Sequence, residues 1–236
     1  MKKLLITGTD TGVGKTWISC LLIRQLTANG QKTGAYKPAC SGAAFDQHGR
    51  AVWSDVDDLR NACDGDVPID RICPQRFIAP LAPAVAARLE GRVIDSNLLV
   101  SGIDRWIGHA ETVIVEGAGG LLCPLSDSLT VADLAKEFAS PMILVAANRL
   151  GVINHTLLSI EVARARGLAV SAVVLNDGSA RTSQMMNNEY DLESDVSAES
   201  NESLLCHWVP DLPIFRCHFG STVLLPRNAA AREMTF

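Results

Sequence analysis

Gly8-Thr9-Asp10-Thr11-Gly12-Val13-Gly14-Lys15-Thr16 is the stretch on which the fold of this chain turns. The apolar run Leu4-Leu5-Ile6 precedes it. Apolar residues at Trp17, Ile18, Leu21, Leu22 and Leu26 follow at near-helical spacing. Strand, glycine-rich loop and helix in that order are the context a phosphate-binding loop requires. Glycines let main-chain N–H groups converge on phosphate oxygens with no Cβ in the way. The helix presents its unpaired N–H groups and positive dipole end to the anion. In such a loop Lys15 reaches the outer phosphates and the Thr16 hydroxyl ligates Mg2+. The usual spacing is Gly, four residues, Gly-Lys-Ser/Thr, which puts Thr9 at the first glycine position, with Gly8 one place early.

Outward from the loop, apolar strands alternate with helical patterns. The spacing predicts a strand at 32–36, ending in Lys37-Pro38-Ala39-Cys40-Ser41-Gly42, a place where α/β folds bind ligands. Residues 43–66 are polar, with Ser54 as an expected N-cap before Asp55, Asp57 and Asp58. Those acids either supply Mg2+ ligands or serve the helix dipole. A loop with Pro74, Pro80 and Pro83 leads to a short helix at 84–90, and a further helix is expected from Ser96 to His109. Thr112-Val113-Ile114-Val115 has the β-branched, wholly apolar character of a strand buried on both faces. It runs into Glu116-Gly117-Ala118-Gly119-Gly120, a Walker-B type of arrangement in which the acid holds Mg2+ and small residues admit phosphate.

Beyond that, a helix at 130–138, a strand at 141–146, a helix at 156–166 and a strand at 168–175 are expected, with His155 as a helix-start or packing residue. The last of these strands ends in Asn176-Asp177, and an Asn there offers the donor and acceptor that suit an adenine edge. Residues 179–203 are acidic and polar and read as a mobile loop or an irregular helix. Residues 204–209 then read as a helix end on the core, and 213–220 as a final strand and loop. The whole, residues 1–236, reads as one doubly wound, mainly parallel α/β sheet with helices on both faces, of P-loop NTPase type.

Composition narrows the function classes. The chain has 236 residues, 47% hydrophobic and 20% charged, with net charge −5. It therefore has no basic footprint for nucleic acid, and no apolar run approaches the roughly 18–20 residues of a membrane span. Met1-Lys2-Lys3 leads into a strand and a functional loop, unlike a signal peptide. The seven cysteines are odd in number and form no C-x-x-C pair, the pattern of reduced thiols in a cytoplasmic protein.

Five motifs together resemble the ATP-dependent dethiobiotin synthetases: residues 8–16, Tyr36-Lys37-Pro38 with Ser41-Gly42, Val115 to Gly120, Leu150-Gly151-Val152-Ile153-Asn154-His155, and Asn176-Asp177. Their order and spacing agree over roughly residues 1–178, and the early Gly8 is itself a feature of that family. The resemblance implies ATP-dependent closure of a cyclic urea on 7,8-diaminononanoate with CO2, through a carbamate and a carbamic–phosphoric anhydride. It implies Lys37 and Lys15 as catalytic cations and Thr16, Asp55 and Glu116 as Mg2+ ligands, with Asp57 and Asp58 as alternatives to Asp55. Gly12, Val13, Gly14, Gly117, Ala118 and Gly119 would hold phosphate, and Asn176 and Asp177 adenine. Thr11 and Ser41 would contact the diamine or its carbamate. A homodimer is implied, with Gly151, Val152, Ile153 and Asn154 reaching across to the substrate carboxylate. The family's Gly-x-x-Pro turn has no counterpart here, because His218-Phe219-Gly220 stands in its place. Two other protein classes carry a related loop. A cobyrinate-type amidotransferase needs a glutaminase domain, for which residues 180–236 are too few. A partition-type switch ATPase usually carries an early loop lysine, where this chain has Thr9-Asp10-Thr11.

Overall fold

A computed structural model describes residues 1–180, 196–218, 220–222 and 225–226. Its strands are β1 (Lys2–Gly8), β2 (Thr33–Tyr36), β3 (Ala39–Ser41), β4 (Ala44–Phe45), β5 (Ala51–Val52), β6 (Gln75–Phe77), β7 (Thr112–Gly120), β8 (Met142–Ala147), β9 (Val170–Asn176), β10 (Ile214–Cys217) and β11 (Leu225–Pro226). Its α-helices are α1 (Lys15–Ala28), α2 (Ser54–Ala62), α3 (Ile69–Ile72), α4 (Pro83–Leu89), α5 (Ser96–Ser101), α6 (Val131–Glu137), α7 (Val152–Ala165) and α8 (Ala198–Trp208). Seven strands form one sheet in the order β11-β10-β9-β8-β1-β7-β2. All neighbours in it are parallel except the edge strand β11, which is antiparallel to β10.

The central strands are continuous apolar runs because both faces of the sheet are covered. Leu4, Leu5, Ile6, Val113, Ile114 and Val115 are all buried, each contributing about 1.5–3 kcal/mol relative to exposure. The two-residue period of a strand then sorts neighbours to opposite faces. Ile143 and Val145 join the main core with α1, whereas Leu144 and Ala146 pack with Val152 and Ile160 of α7 and Leu205 of α8. Ala172 and Val174 likewise face one core, Val173 and Leu175 the other.

Topology places the site. The chain leaves β1 for β2 on one side of it and later passes from β7 to β8 on its other side. The carboxyl end of β1 is therefore the switch point where open α/β sheets bind ligands. The loop at 9–14 occupies that end. Lys37, Asn148, Asp177 and His218 each follow directly on a strand of the same sheet.

Several local expectations are corrected. Strand β7 does not stop at Val115 but runs to Gly120, with an irregularity in its pairing to β1 between Ile6 and Gly8. Ser54 is not an N-cap. It is the first residue of α2, and Trp53 takes the cap position with its indole donating to Phe77 O at 2.8 Å. The helix expected over 96–109 is a short α5, capped by Asp95 on the Leu98 N–H at 3.0 Å, followed by a 3-10 turn at Gly102–Trp106. Helix α7 begins at Val152, four residues earlier than its apolar spacing suggested. Within the polar stretch 43–66, β4 and β5 form a small hairpin, its loop closed by Asp46 Oδ1, which accepts from the N–H groups of His48 and Arg50. Residues 198–203 are the first turns of α8, while 181–195 and Phe219 lie outside the described residues. Among the described residues no helix is long and apolar enough to cross a membrane.

Candidate active site

Charged and hydroxyl side chains from four elements meet beyond the switch point. Glu116, carried inward on β7 and 1% exposed, is the hub. Its Oε1 accepts from Thr16 Oγ1 at 2.9 Å and from Lys37 Nζ at 2.5 Å. Lys37, 4% exposed at the end of β2, also donates to Asp55 Oδ2 at 2.7 Å. Lys15 is buried beside them and donates to Asp10 O at 3.0 Å, so its ammonium folds over its own loop.

The electrostatics follow from this packing. Burial works against the charge on Lys37, but the carboxylates of Glu116 and Asp55 outweigh it and hold its pKa well above the usual lysine value. Lys37 is therefore an ammonium across the physiological range. For Lys15 burial dominates and lowers the pKa, with Glu116 opposing and Lys37 reinforcing the shift. The phosphates that such a loop cradles would restore a counter-charge. Burial tends to raise the Asp55 pKa, yet the Lys37 ammonium brings it below the usual value. Of the three neighbouring acids, Asp55 is the one whose carboxylate lies against Lys37.

The glycines of β7 matter by what they leave out. A Cβ on Gly117 would stand 2.8 Å from Val131 Cγ1, and one on Gly119, at φ +57°, 3.1 Å from Cys123 Sγ. Gly14, at φ +95°, lies so close to Asn176 that a Cβ would overlap its Nδ2. That same Nδ2 donates to Val13 O at 3.0 Å, and Oδ1 accepts from Gly178 N at 3.2 Å. Asn176 thus braces the phosphate-binding loop from the end of β9. Asp177 is engaged too. Its carboxylate accepts from Asn148 Nδ2 at 2.6 Å and from Arg216 Nε at 2.9 and 3.1 Å, and His218 Nδ1 lies 2.8 Å away.

The remaining expected residues make local contacts of their own. Ser41 Oγ donates to Leu81 O at 2.6 Å, and Thr11 N to Asp10 Oδ1 at 2.6 Å. Gly151 caps α7 at φ +92°, and Val152, Ile153 and Asn154 form its first turn. Val152 and His155 line a small cleft with Thr9, Asp10, Val13 and Arg149, on the outer flank of the loop. Ser19 escaped the sequence reading. It is fully buried in the second turn of α1, and its hydroxyl donates to Glu116 Oε2 at 2.9 Å, so both carboxylate oxygens are held. The cysteines are free thiols, and burial pushes those of Cys20 and Cys63 up to about 12.

A phosphate-binding loop on the first strand of a parallel sheet, with a buried acid on the adjacent strand, defines an α/β protein of P-loop NTPase type. The solved structure of the cell division protein FtsY from Thermotoga maritima shares that fold, with a TM-score of 0.50 and 14% identity over 96% of this chain and 65% of that one. A family model described as an AAA domain matches residues 2–214. The ATP-dependent dethiobiotin synthetase BioD of Anaeromyxobacter sp. (strain Fw109-5) is 48% identical over 176 residues, covering 75% of this chain and 77% of that protein. The protein of the same name from Rhodopirellula baltica is 36% identical over 213 residues, 86% and 78% of the two chains. The chain belongs to the ATP-dependent dethiobiotin synthetase family, and is an ATP-dependent ligase that forms C–N bonds.

Proposed function

We propose that this chain closes the ureido ring of dethiobiotin on 7,8-diaminononanoate, using CO2 and ATP and releasing ADP and phosphate. One amine captures CO2 as a carbamate. A carbamate oxygen attacks the γ-phosphorus, and the second amine then attacks the carbamoyl carbon and expels phosphate. The observation that carries this reading is Lys37, a second buried cation beside the phosphate-loop lysine, held by both Asp55 and Glu116. A simple hydrolase has no need of it. A reaction that drives an anionic carbamate onto an anionic phosphate does, because the two repel until fixed positive charge lies between them.

In this reading Lys15 and the N–H groups of Gly12 to Thr16 bind the phosphates, and Lys37 screens the carbamate against them. Little covalent chemistry falls to the protein, since phosphoryl transfer is chiefly a matter of position and charge. Thr16, Glu116 and Asp55 are hard oxygen donors, which suits Mg2+. That ion takes one or two carboxylates and fills its shell with water and substrate phosphate. Two carboxylates and one hydroxyl leave room in such a shell for water and nucleotide phosphate. Bound there, Mg2+ would neutralise phosphate charge. Thr11 and Ser41 border the path of the diamine, and the helix start at Gly151 to Asn154 offers N–H groups to the carboxylate of a substrate in a second subunit. The test is phosphate release with MgATP and bicarbonate, with and without the diamine. The reading requires diamine-dependent release and a product heavier than the diamine by one carbonyl less two hydrogens. Release that ignores the diamine would refute it.

A further inference from the structure

The chain leaves the main sheet after Lys37 and returns to it at Asp55, so the partners of one 2.7 Å ion pair stand 18 residues apart. Between them run β3 and the hairpin of β4 and β5. Asp55 lies in the first turn of α2, and no side chain caps that turn. An uncapped helix start leaves N–H groups without partners and is the part of a helix that frays. The ion pair is a weak tether, because Asp55 is half exposed and Lys37 is shared with Glu116. Asp55 needs a second anchor, one that acts on the backbone of its helix.

Trp53 supplies it. Its carbonyl accepts from the N–H groups of Val56 and Asp57, both at 3.0 Å, and so opens the helix. Its indole Nε1 donates to Phe77 O at 2.8 Å. The Arg76 guanidinium lies 5.5 Å from the centre of its ring and is itself paired with Asp70 at 2.8 Å. Strand β6, which carries Arg76 and Phe77, is a fixed frame. It pairs with β3, its Phe77 is buried, and its Gln75 amide bonds the main chain of Asp95 at 2.8 and 3.0 Å. One indole therefore fastens the start of α2 to that frame.

We propose that Trp53 is a positioning residue for the metal end of the site, acting through Asp55 and not on the metal itself. The proposal rests on the reading of Asp55 as a Mg2+ donor and adds what fixes that donor in place. Groups that hold a metal-binding side chain change metal affinity by about 10- to 100-fold when they are removed. Trp53 acts one step further back, through one neutral hydrogen bond, so its loss should weaken metal binding by about 5-fold.

The experiment follows Mn2+, standing in for Mg2+, by electron paramagnetic resonance in the presence of a non-hydrolysable ATP analogue. Trp53→Phe keeps an aromatic ring beside Arg76 and removes the N–H. It should raise the Kd for Mn2+ about 5-fold, and Asp55→Asn should raise it at least about 10-fold. The double variant should stay within about 2-fold of Asp55→Asn alone, because two groups that act through one contact do not add. Ser140→Ala is the control for lost stability. It removes a buried hydroxyl that donates to Lys3 O at 2.9 Å, at the opposite end of the sheet. It should leave the Mn2+ Kd within about 2-fold of wild type. An unchanged Kd in Trp53→Phe, losses that multiply in the double variant, or an equal loss in Ser140→Ala would overturn the proposal. Full Mn2+ affinity in Asp55→Asn would instead bring down the reading of Asp55 as a metal donor, and the proposal with it.

Discussion

Lys37→Met removes one charge from the buried cluster and keeps most of the side-chain volume. Glu116, 1% exposed, would lose the ammonium 2.5 Å from its Oε1, and Asp55 would lose the partner at 2.7 Å. Breaking a buried ion pair from one side costs about 3–5 kcal/mol. The lower end applies here, because Thr16 and Ser19 go on donating to Glu116 and because Asp55 is half exposed. About 3 kcal/mol in a domain of this size lowers Tm by about 6–12 °C. Turnover should fall more steeply, by about 100- to 1000-fold, the usual loss when one preorganised charge at a transition state is removed.

The pH dependence of that stability gap has a definite sign. Lys37 has a raised folded-state pKa, so its contribution is complete below the unfolded value near ~10.4 and is lost as pH rises through the folded one. Asp55 has a depressed pKa, so its contribution holds above about 3.9 and is lost as pH falls through the folded value. Wild type and Lys37→Met should therefore differ by a constant amount from about pH 5 to 9 and converge in acid. Thermal melts across that range and diamine-dependent phosphate release are the assays. A variant within about 2 °C in Tm and about 3-fold in kcat of wild type would refute the reasoning.

Ser19→Ala leaves Glu116 Oε2 without its donor, which should cost about 1–3 kcal/mol of stability and raise the Mg2+ concentration for half-maximal activity about 5-fold. An unchanged melt together with an unchanged Mg2+ titration would show that Ser19 does not position the acid. Gly14→Ala forces a Cβ onto Asn176 at a φ of +95° and should weaken MgADP binding at least 10-fold by calorimetry, or about 1.4 kcal/mol. Wild-type affinity there would mean that the loop does not need its close approach to β9. Asp177→Asn removes the charge shared by Arg216 and His218 and should lower stability by about 2 kcal/mol in denaturant titrations. A stability equal to wild type would show that this network is screened by solvent.

What could be read in advance was what is local in the chain. The glycine-rich loop announces itself because backbone approach to phosphate demands several glycines within a short span, here Gly8, Gly12 and Gly14. The buried strands announce themselves because a sheet covered on both faces needs unbroken runs such as Val113-Ile114-Val115. Ser19 could not be read this way. It looks like any small helix residue, and its partner Glu116 is far off in the sequence and comes near only when β7 lies beside β1. The bracing of Gly14 by Asn176 hides for the same reason, across β8 and β1. The hairpin of β4 and β5 has two-residue strands and exposed side chains in β4, so no alternation existed to be seen. The early start of α7 escaped because glycine at 151 serves as a helix beginning there, where glycine more often ends one.

In the proposed reaction a carbamate oxygen attacks the γ-phosphorus between Lys15 and Lys37. The most direct test is a short, rapidly quenched turnover with 18O-labelled CO2 in unlabelled water, before the label exchanges with solvent. The released phosphate should carry one oxygen from CO2 for each ring closed. Phosphate with no oxygen from CO2, released at the same rate, would contradict it.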